Sequence, residues 1–145
     1  MEYVPVIRKA ITYTDYRLGF SLKHPVAWSA EADADNTISF LDPLNFGEGI
    51  TVSVMDSKNE KAYRSTLPVL RETDTTIDGQ PASLILTGVK TAPEKVVLVN
   101  HLGRLYAIRG TGSMYDRIVP TFRFTGYRLE PLPGSKLKIE ASNKK

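Results

Sequence analysis

The sequence predicts an α+β domain built on an antiparallel sheet, and three observations carry that prediction. Short segments with apolar residues at every second position dominate the chain, which is the period of a strand that turns one face to a core. Turn-forming pairs such as Asp42-Pro43, Asp78-Gly79 and Leu102-Gly103 separate them closely, as hairpins require. Only two segments, around Tyr63 and Tyr115, repeat apolar residues at helical spacing. Strands, a helix, more strands and a helix make an α+β order rather than an alternating one.

The elements follow in sequence. Residues 18–24 read as a strand in which Phe20 and Leu22 alternate with Ser21 and Lys23. Pro25 has no N–H for a ladder and biases His24 toward an extended conformation, so pairing should stop there. Trp28, the only tryptophan, then folds back to close the end of the core. An acidic loop, Glu31 to Asn36, leads to a strand at Thr37–Leu41 that Asp42-Pro43 ends, and residues 45–49 form a flexible connection. Ile50–Met55 is β-branched at alternate positions and reads as a strand. Asn59 to Arg71 reads as the first helix, with Tyr63, Leu67 and Leu70 on one side and Pro68 kinking or shortening it.

Thr75–Ile77 and Ala82–Thr87 flank the turn Asp78-Gly79-Gln80-Pro81 and predict one hairpin; Lys95–Asn100 and Arg104–Arg109 around Leu102-Gly103 predict another. Both carry apolar residues partly on each face, as central strands covered on two sides should. Ser113 is placed to cap a helix holding Tyr115, Ile118, Val119 and Phe122, and Phe122-Arg123-Phe124 ends the fold as a short strand. The division expected is an N-terminal arm at 1–12, a single domain at 13–130 and a basic flexible tail at 131–145, with no internal repeat.

Composition excludes several function classes. A chain of 145 residues is large enough to bury about 68–70% of its unfolded surface without staples. No apolar run reaches a membrane span, and residues 1–10 lack the apolar core of a secretion signal, so the chain is cytosolic or a mature domain without its leader. The absence of cysteine removes disulfides, thiolate nucleophiles and thiolate metal sites, and leaves the compartment open. The basic excess sits in the tail, where four lysines face Glu140, so residues 1–135 balance at 15 bases and 15 acids. This argues against a nucleic-acid partner. Within the body, residues 31–78 hold ten acids against four bases, and residues 94–128 hold six bases against two acids. On separate faces these would form a dipole that steers partners; scattered, they are a solvated surface.

Five features in order resemble the PsbP-like family. They are the Gly19-Phe20-Ser21 to Pro25 to Trp28 segment, the strand at Ile50, the turn Asp78-Gly79-Gln80-Pro81-Ala82, the Gly103 to Tyr106-Ala107-Ile108 strand, and Asp116 followed by Phe122 and Phe124. Together they cover residues 13–128, with Tyr13 and Tyr16 as an aromatic lead-in. His24 stands where an aromatic such as tyrosine is common, and the lysine tail has no counterpart. The resemblance implies a central antiparallel sheet flanked by helices, an α-β-α sandwich. It also implies a docking role, since relatives include an extrinsic photosystem II subunit, a Ran-binding release factor, and bacterial secreted or lipid-anchored proteins of unassigned role. An extracytoplasmic location and association with a membrane surface are implied in the same way. No family binding residues map onto this chain.

The candidate chemistry is sparse. His24 and His101 lack metal-ligand spacing and read as a strand-end cap and a hairpin-rim residue. Glu31, Asp33 and Asp35 could gather a hard cation, or simply be a solvated loop. Gly110, Gly112 and Ser113 form a loop after a strand that could hold an anion, or only turn the chain into the helix. No nucleophile motif is present, so no catalytic residue, metal site or cofactor is predicted. The expectation is a non-enzymatic domain docking onto a protein partner through Arg104, Arg109 and Arg123, with Tyr106 or Tyr127 supplying apolar contact. A small-ligand or metal carrier is the alternative, and a hydrolase assembled from distant residues the weakest reading.

Overall fold

Alternation along the strands resolves into two antiparallel sheets in the computed structural model, which describes residues 9–33, 36–44, 49–88 and 93–125. The strands are β1 (Ala10–Asp15), β2 (Phe20–Pro25), β3 (Ser29–Ala32), β4 (Thr37–Leu41), β5 (Gly49–Asp56), β6 (Val69–Ile77), β7 (Gln80–Thr87), β8 (Glu94–His101), β9 (Arg104–Thr111) and β10 (Arg123–Phe124). Two short helices, α1 (Glu60–Arg64) and α2 (Tyr115–Ile118), are each joined to a single 3₁₀ turn. The large sheet has seven strands in the order β3-β4-β5-β9-β8-β7-β6, and the small one runs β1-β2-β10.

Both predicted hairpins form on two-residue turns. Asp78 and Gly79 have φ of 49° and 79°, and Leu102 and Gly103 have 53° and 80°. Two consecutive positive φ values define the turn whose twist matches that of paired strands. The register then follows as Ile77↔Gln80 and His101↔Arg104. Pro25 ends β2 as expected, and Trp28 is 7% exposed within the main core.

That core lies between the sheets. Ile38, Phe40, Ile50, Val52, Val54, Val97, Val99, Tyr106 and Ile108 project from the first face of the large sheet. Phe20 and Leu22 of β2, with Tyr115, Ile118, Val119 and Phe122 from the α2 segment, close over them. The second face is smaller. Leu67, Ile85, Val96, Leu98, Leu105 and Ala107 are buried there beneath Tyr63 of α1 and Met55. Strands β8 and β9 thus face a core on both sides, as their sequence predicts.

Several expectations are corrected. The first helix spans five residues instead of running from Asn59 to Arg71. Ser65 and Thr66 hydroxyls donate to the Ala62 and Tyr63 carbonyls, and Pro68 disfavours helical backbone at Leu67. Leu67 drops into the second core, while Leu70 stays 45% exposed at an irregularity of β6. Part of the acidic loop is the edge strand β3, and Ala10–Thr12 pair within β1, so they are sheet rather than arm. Ser113 is not the cap of α2: the residue preceding the helix is Met114, which makes no side-chain cap. The tail at 131–145 lies outside the described residues. Among the described residues, no helix is long and apolar enough to cross a membrane.

Candidate functional site

Alternation on the small sheet sends two sets of side chains in opposite directions. Phe20, Leu22 and His24 point inward and are buried, leaving Ser21 and Lys23 on the outside. Pairing places Thr14 and Arg123 on either side of Ser21, and Thr12 beside Lys23. Beyond the two residues of β10, Thr121 continues the row, its hydroxyl accepting from the Lys23 N–H at 2.9 Å. A second bond from that hydroxyl to the Ile118 carbonyl, 2.6 Å, fixes its position.

The result is a shallow groove of about 270 Å³ lined by Thr12, Ser21, Leu22, Lys23, Pro120, Thr121 and Arg123. Among the described residues, two cations and three hydroxyls line it, and no carboxylate does. The Arg123 side chain is 55% exposed, with Nε 3.8 Å from Asp78 Oδ1. Its Nη1 donates to the Pro120 and Phe122 carbonyls at 2.9 and 2.8 Å, so the guanidinium is oriented before anything binds. Such a surface suits oxyanions, because guanidinium and ammonium donors form charge-assisted bonds to carboxylate, sulfate or phosphate oxygens.

The other docking candidates are elsewhere. Arg104 is 6% exposed, and its Nη1 donates to the Arg17 carbonyl at 2.9 Å. Tyr106 is fully buried; its hydroxyl donates to the Leu18 carbonyl at 2.7 Å, and its ring packs edge-on to Phe20, Phe122 and Phe124. Both hold the turn between β1 and β2 and offer no surface to a partner, which corrects the expectation for them. Arg109 lies on the second face of the large sheet, bonded to Glu94 at 2.7 Å and to the Tyr63 hydroxyl at 3.1 Å. The Glu94 carboxylate raises its pKa well above the usual arginine value against the opposing effect of burial. Tyr127 falls outside the described residues. Among the described residues, Arg123 is therefore the predicted docking residue that the groove includes.

The loop at Gly110, Gly112 and Ser113 is a packing device. A Cβ on Gly110 would sit 2.6 Å from the Gly49 carbonyl oxygen and 2.7 Å from the Tyr115 ring. Gly112 has φ of 94° and turns the chain. The helix that follows has four residues and an acid, Asp116, in its first turn, which works against anion binding there.

His24 is 2% exposed, against the Phe40 ring. Its Nδ1 lies 2.9 Å from the Pro25 carbonyl oxygen, which only accepts, so Nδ1 carries the proton. His101 stacks on Phe124 at 4.0 Å, and burial lowers its pKa more than Asp78 raises it. Glu31 and Asp33 are exposed at the sheet edge, and Asp35 is outside the described residues. Among the described residues, no three His, Cys, Asp or Glu side chains gather to hold a metal.

The charge division does not separate into two faces. Acids of 31–78 lie on both outer strands of the large sheet, while Arg104 and Arg109 lie on the central strand β9. Lys95 pairs with Asp116 at 2.8 Å and Arg109 with Glu94 at 2.7 Å, so two of the six bases of that segment are paired with its own two acids. Sequence reading missed Thr12, Ser21, Lys23 and Thr121 as a group. Each was visible as the polar member of an alternating pair, but only the β1-β2-β10 pairing brings residues 98 positions apart into one groove.

No family model matches the chain, and no curated protein matches it significantly. Solved structures do. The solution structure of cyanobacterial PsbP (CyanoP) from Synechocystis sp. PCC 6803 superposes with a TM-score of 0.61 at 14% identity, over 86% of this chain and 96% of that one. A crystal structure from Bacteroides thetaiotaomicron VPI-5482 gives 0.53 at 11% identity, over 78% of this chain and 47% of that one. The antiparallel sheets, the two short helices and this superposition agree with the sequence resemblance: the chain has the PsbP-like fold.

Proposed function

We propose that this protein is a non-catalytic docking domain that engages an acidic surface of a larger protein, at an envelope or membrane surface, through the groove between β2 and the β10 segment. The observation that carries the reading is the lining of that groove, in which Lys23 and Arg123 are set among Thr12, Ser21 and Thr121 with no acid among the described residues. Arg123 meets Asp78 only at 3.8 Å, whereas Arg64, Lys95 and Arg109 are matched closely by Glu60, Asp116 and Glu94. Lysine and arginine on a rigid sheet meet a partner without reordering the backbone, which lowers the cost of association. The attraction should weaken with salt, because exposed charges are screened beyond about 10 Å at 0.1 M ionic strength.

The test is migration of the protein under native conditions in extracts of its own cells, as wild type and as the Lys23→Glu/Arg123→Glu variant. Wild type is expected in a larger assembly at low salt and the variant as free domain. Identical migration of the two contradicts the groove as the docking site. The groove also favours a second reading, a carrier of a small oxyanion, because its volume accepts one phosphate- or sulfate-sized group. Titration with inorganic phosphate and sulfate separates the two: saturable amide shifts confined to Lys23, Thr121 and Arg123 support the carrier.

A further inference from the structure

Strand β6 is the last strand of the seven-stranded sheet, and eight of its nine residues are exposed or half-buried. The two-residue turn at Asp78-Gly79 makes Ile77↔Gln80 its first hydrogen-bonded pair. Counting back, Thr75, Thr73 and Arg71 direct their backbone groups toward β7, while Thr76, Asp74 and Glu72 direct theirs outward. Pro81 confirms the phase: it sits opposite Thr76, where its missing N–H costs no bond to β6. The outer edge thus presents three alternate residues with N–H and C=O groups in strand geometry.

We propose that this edge accepts an extended segment of a partner polypeptide with basic side chains at alternate positions. Charge selects that chemistry. Glu72 and Asp74 stand on the second face of the sheet, where an added strand would set its own side chains directly opposite them. Glu72 bridges Arg64 at 3.1 Å yet keeps 40% of its side chain exposed. On the opposite side, Leu70, Arg71, Leu86 and Pro93 line a hollow of about 310 Å³ that receives an aliphatic side chain of the same strand. Val69 and Leu70, 48% and 45% exposed, extend that apolar corner. A second copy of β6 fits poorly, because antiparallel pairing about its centre sets Asp74 against Asp74 or Glu72 against Asp74. Backbone bonds would supply the affinity, and the acids and the hollow the selectivity.

The experiment follows backbone amides of the labelled full chain during titration with an acetylated, amidated heptapeptide alternating valine with lysine. Shifts and slowed exchange are expected at Glu72, Asp74 and Thr76. N-methylating the peptide at alternate residues keeps its charge and should weaken binding about tenfold or more. Thr76→Pro should do the same from the protein side, since a proline there removes an outward N–H and leaves the β6–β7 ladder whole. Equal binding by the N-methylated peptide, or by a peptide with glutamate for lysine, overturns the proposal. So does protection of those three amides in the protein alone, which would mean the edge is already covered.

Discussion

The two faces of the seven-stranded sheet are held by different physics. On the first face, rings and branched aliphatics interlock: Phe20 stacks on Phe122 at 5.2 Å, and Tyr106 meets Phe122 edge-on at 5.9 Å. On the second, six small or aliphatic residues are buried, and α1 is tied down by polar bonds. Arg64 reaches Glu60, Glu72 and Ser83, Asn100 donates to Glu60 at 2.9 Å, and Arg109 joins Glu94 to Tyr63. A wide apolar stripe makes one face a core, whereas a five-residue helix without a buried residue needs ion pairs to stay in place. The first face therefore carries stability, and the second carries a strap whose hold depends on charge.

Cutting an anchor on each face sharpens the difference. Phe122→Ala leaves a cavity among Phe20, Tyr106 and Phe124 and should cost about 3–5 kcal/mol in denaturant unfolding. Arg109→Ala on the second face should cost about 1 kcal/mol, since its side chain and that of Glu94 are 33% and 31% exposed and partly screened. A double-mutant cycle with Glu94→Ala should show the two coupled. Similar losses at Phe122 and Arg109 would break the contrast.

Acid offers a finer probe. Bonds from Arg64 and Asn100 hold the Glu60 carboxyl below its ordinary 4.5. Its contribution is thus complete above the unfolded value and lost as pH falls through the folded one. His101, on the first face, is also lowered from 6.5, mainly by burial against Phe124. The unfolded chain binds its proton first, so this contribution is complete above 6.5 and declines below it. Stability measured against pH should show both declines. His101→Gln should remove the upper one and Glu60→Gln the lower; an unchanged profile in either variant contradicts the assignment.

How legible this was depended on how apolar each element is. Phe20, Leu22, Ile38, Phe40, Ile50, Val52 and Val54 alternate cleanly, and each is buried in the core between the two sheets. The turns at Asp78-Gly79 and Leu102-Gly103 were equally plain, because strand twist calls for positive φ at both positions. Strand β3 was hidden and β6 was legible only at Thr75–Ile77, since edge strands with little buried surface leave little period to read. The helix was overextended because Tyr63, Leu67 and Leu70 have the right spacing, and only Pro68 betrays that the last two belong to other structure. The groove was beyond reach in a stronger sense. Hydroxyls and a lysine at alternate positions are what any half-exposed strand shows, and their convergence depends on pairing across most of the chain.

One measurement tests the central claim, that the outer face of the small sheet is the docking surface. A photo-crosslinking residue would be placed in cells at Thr12, beside Lys23, and separately at Ser53 on the second face, where its hydroxyl lies 3.1 Å from that of Thr37. Adducts to a discrete protein from position 12, lost on Lys23→Glu/Arg123→Glu and absent from position 53, are the predicted result. Adducts from position 53 with none from position 12 would contradict it.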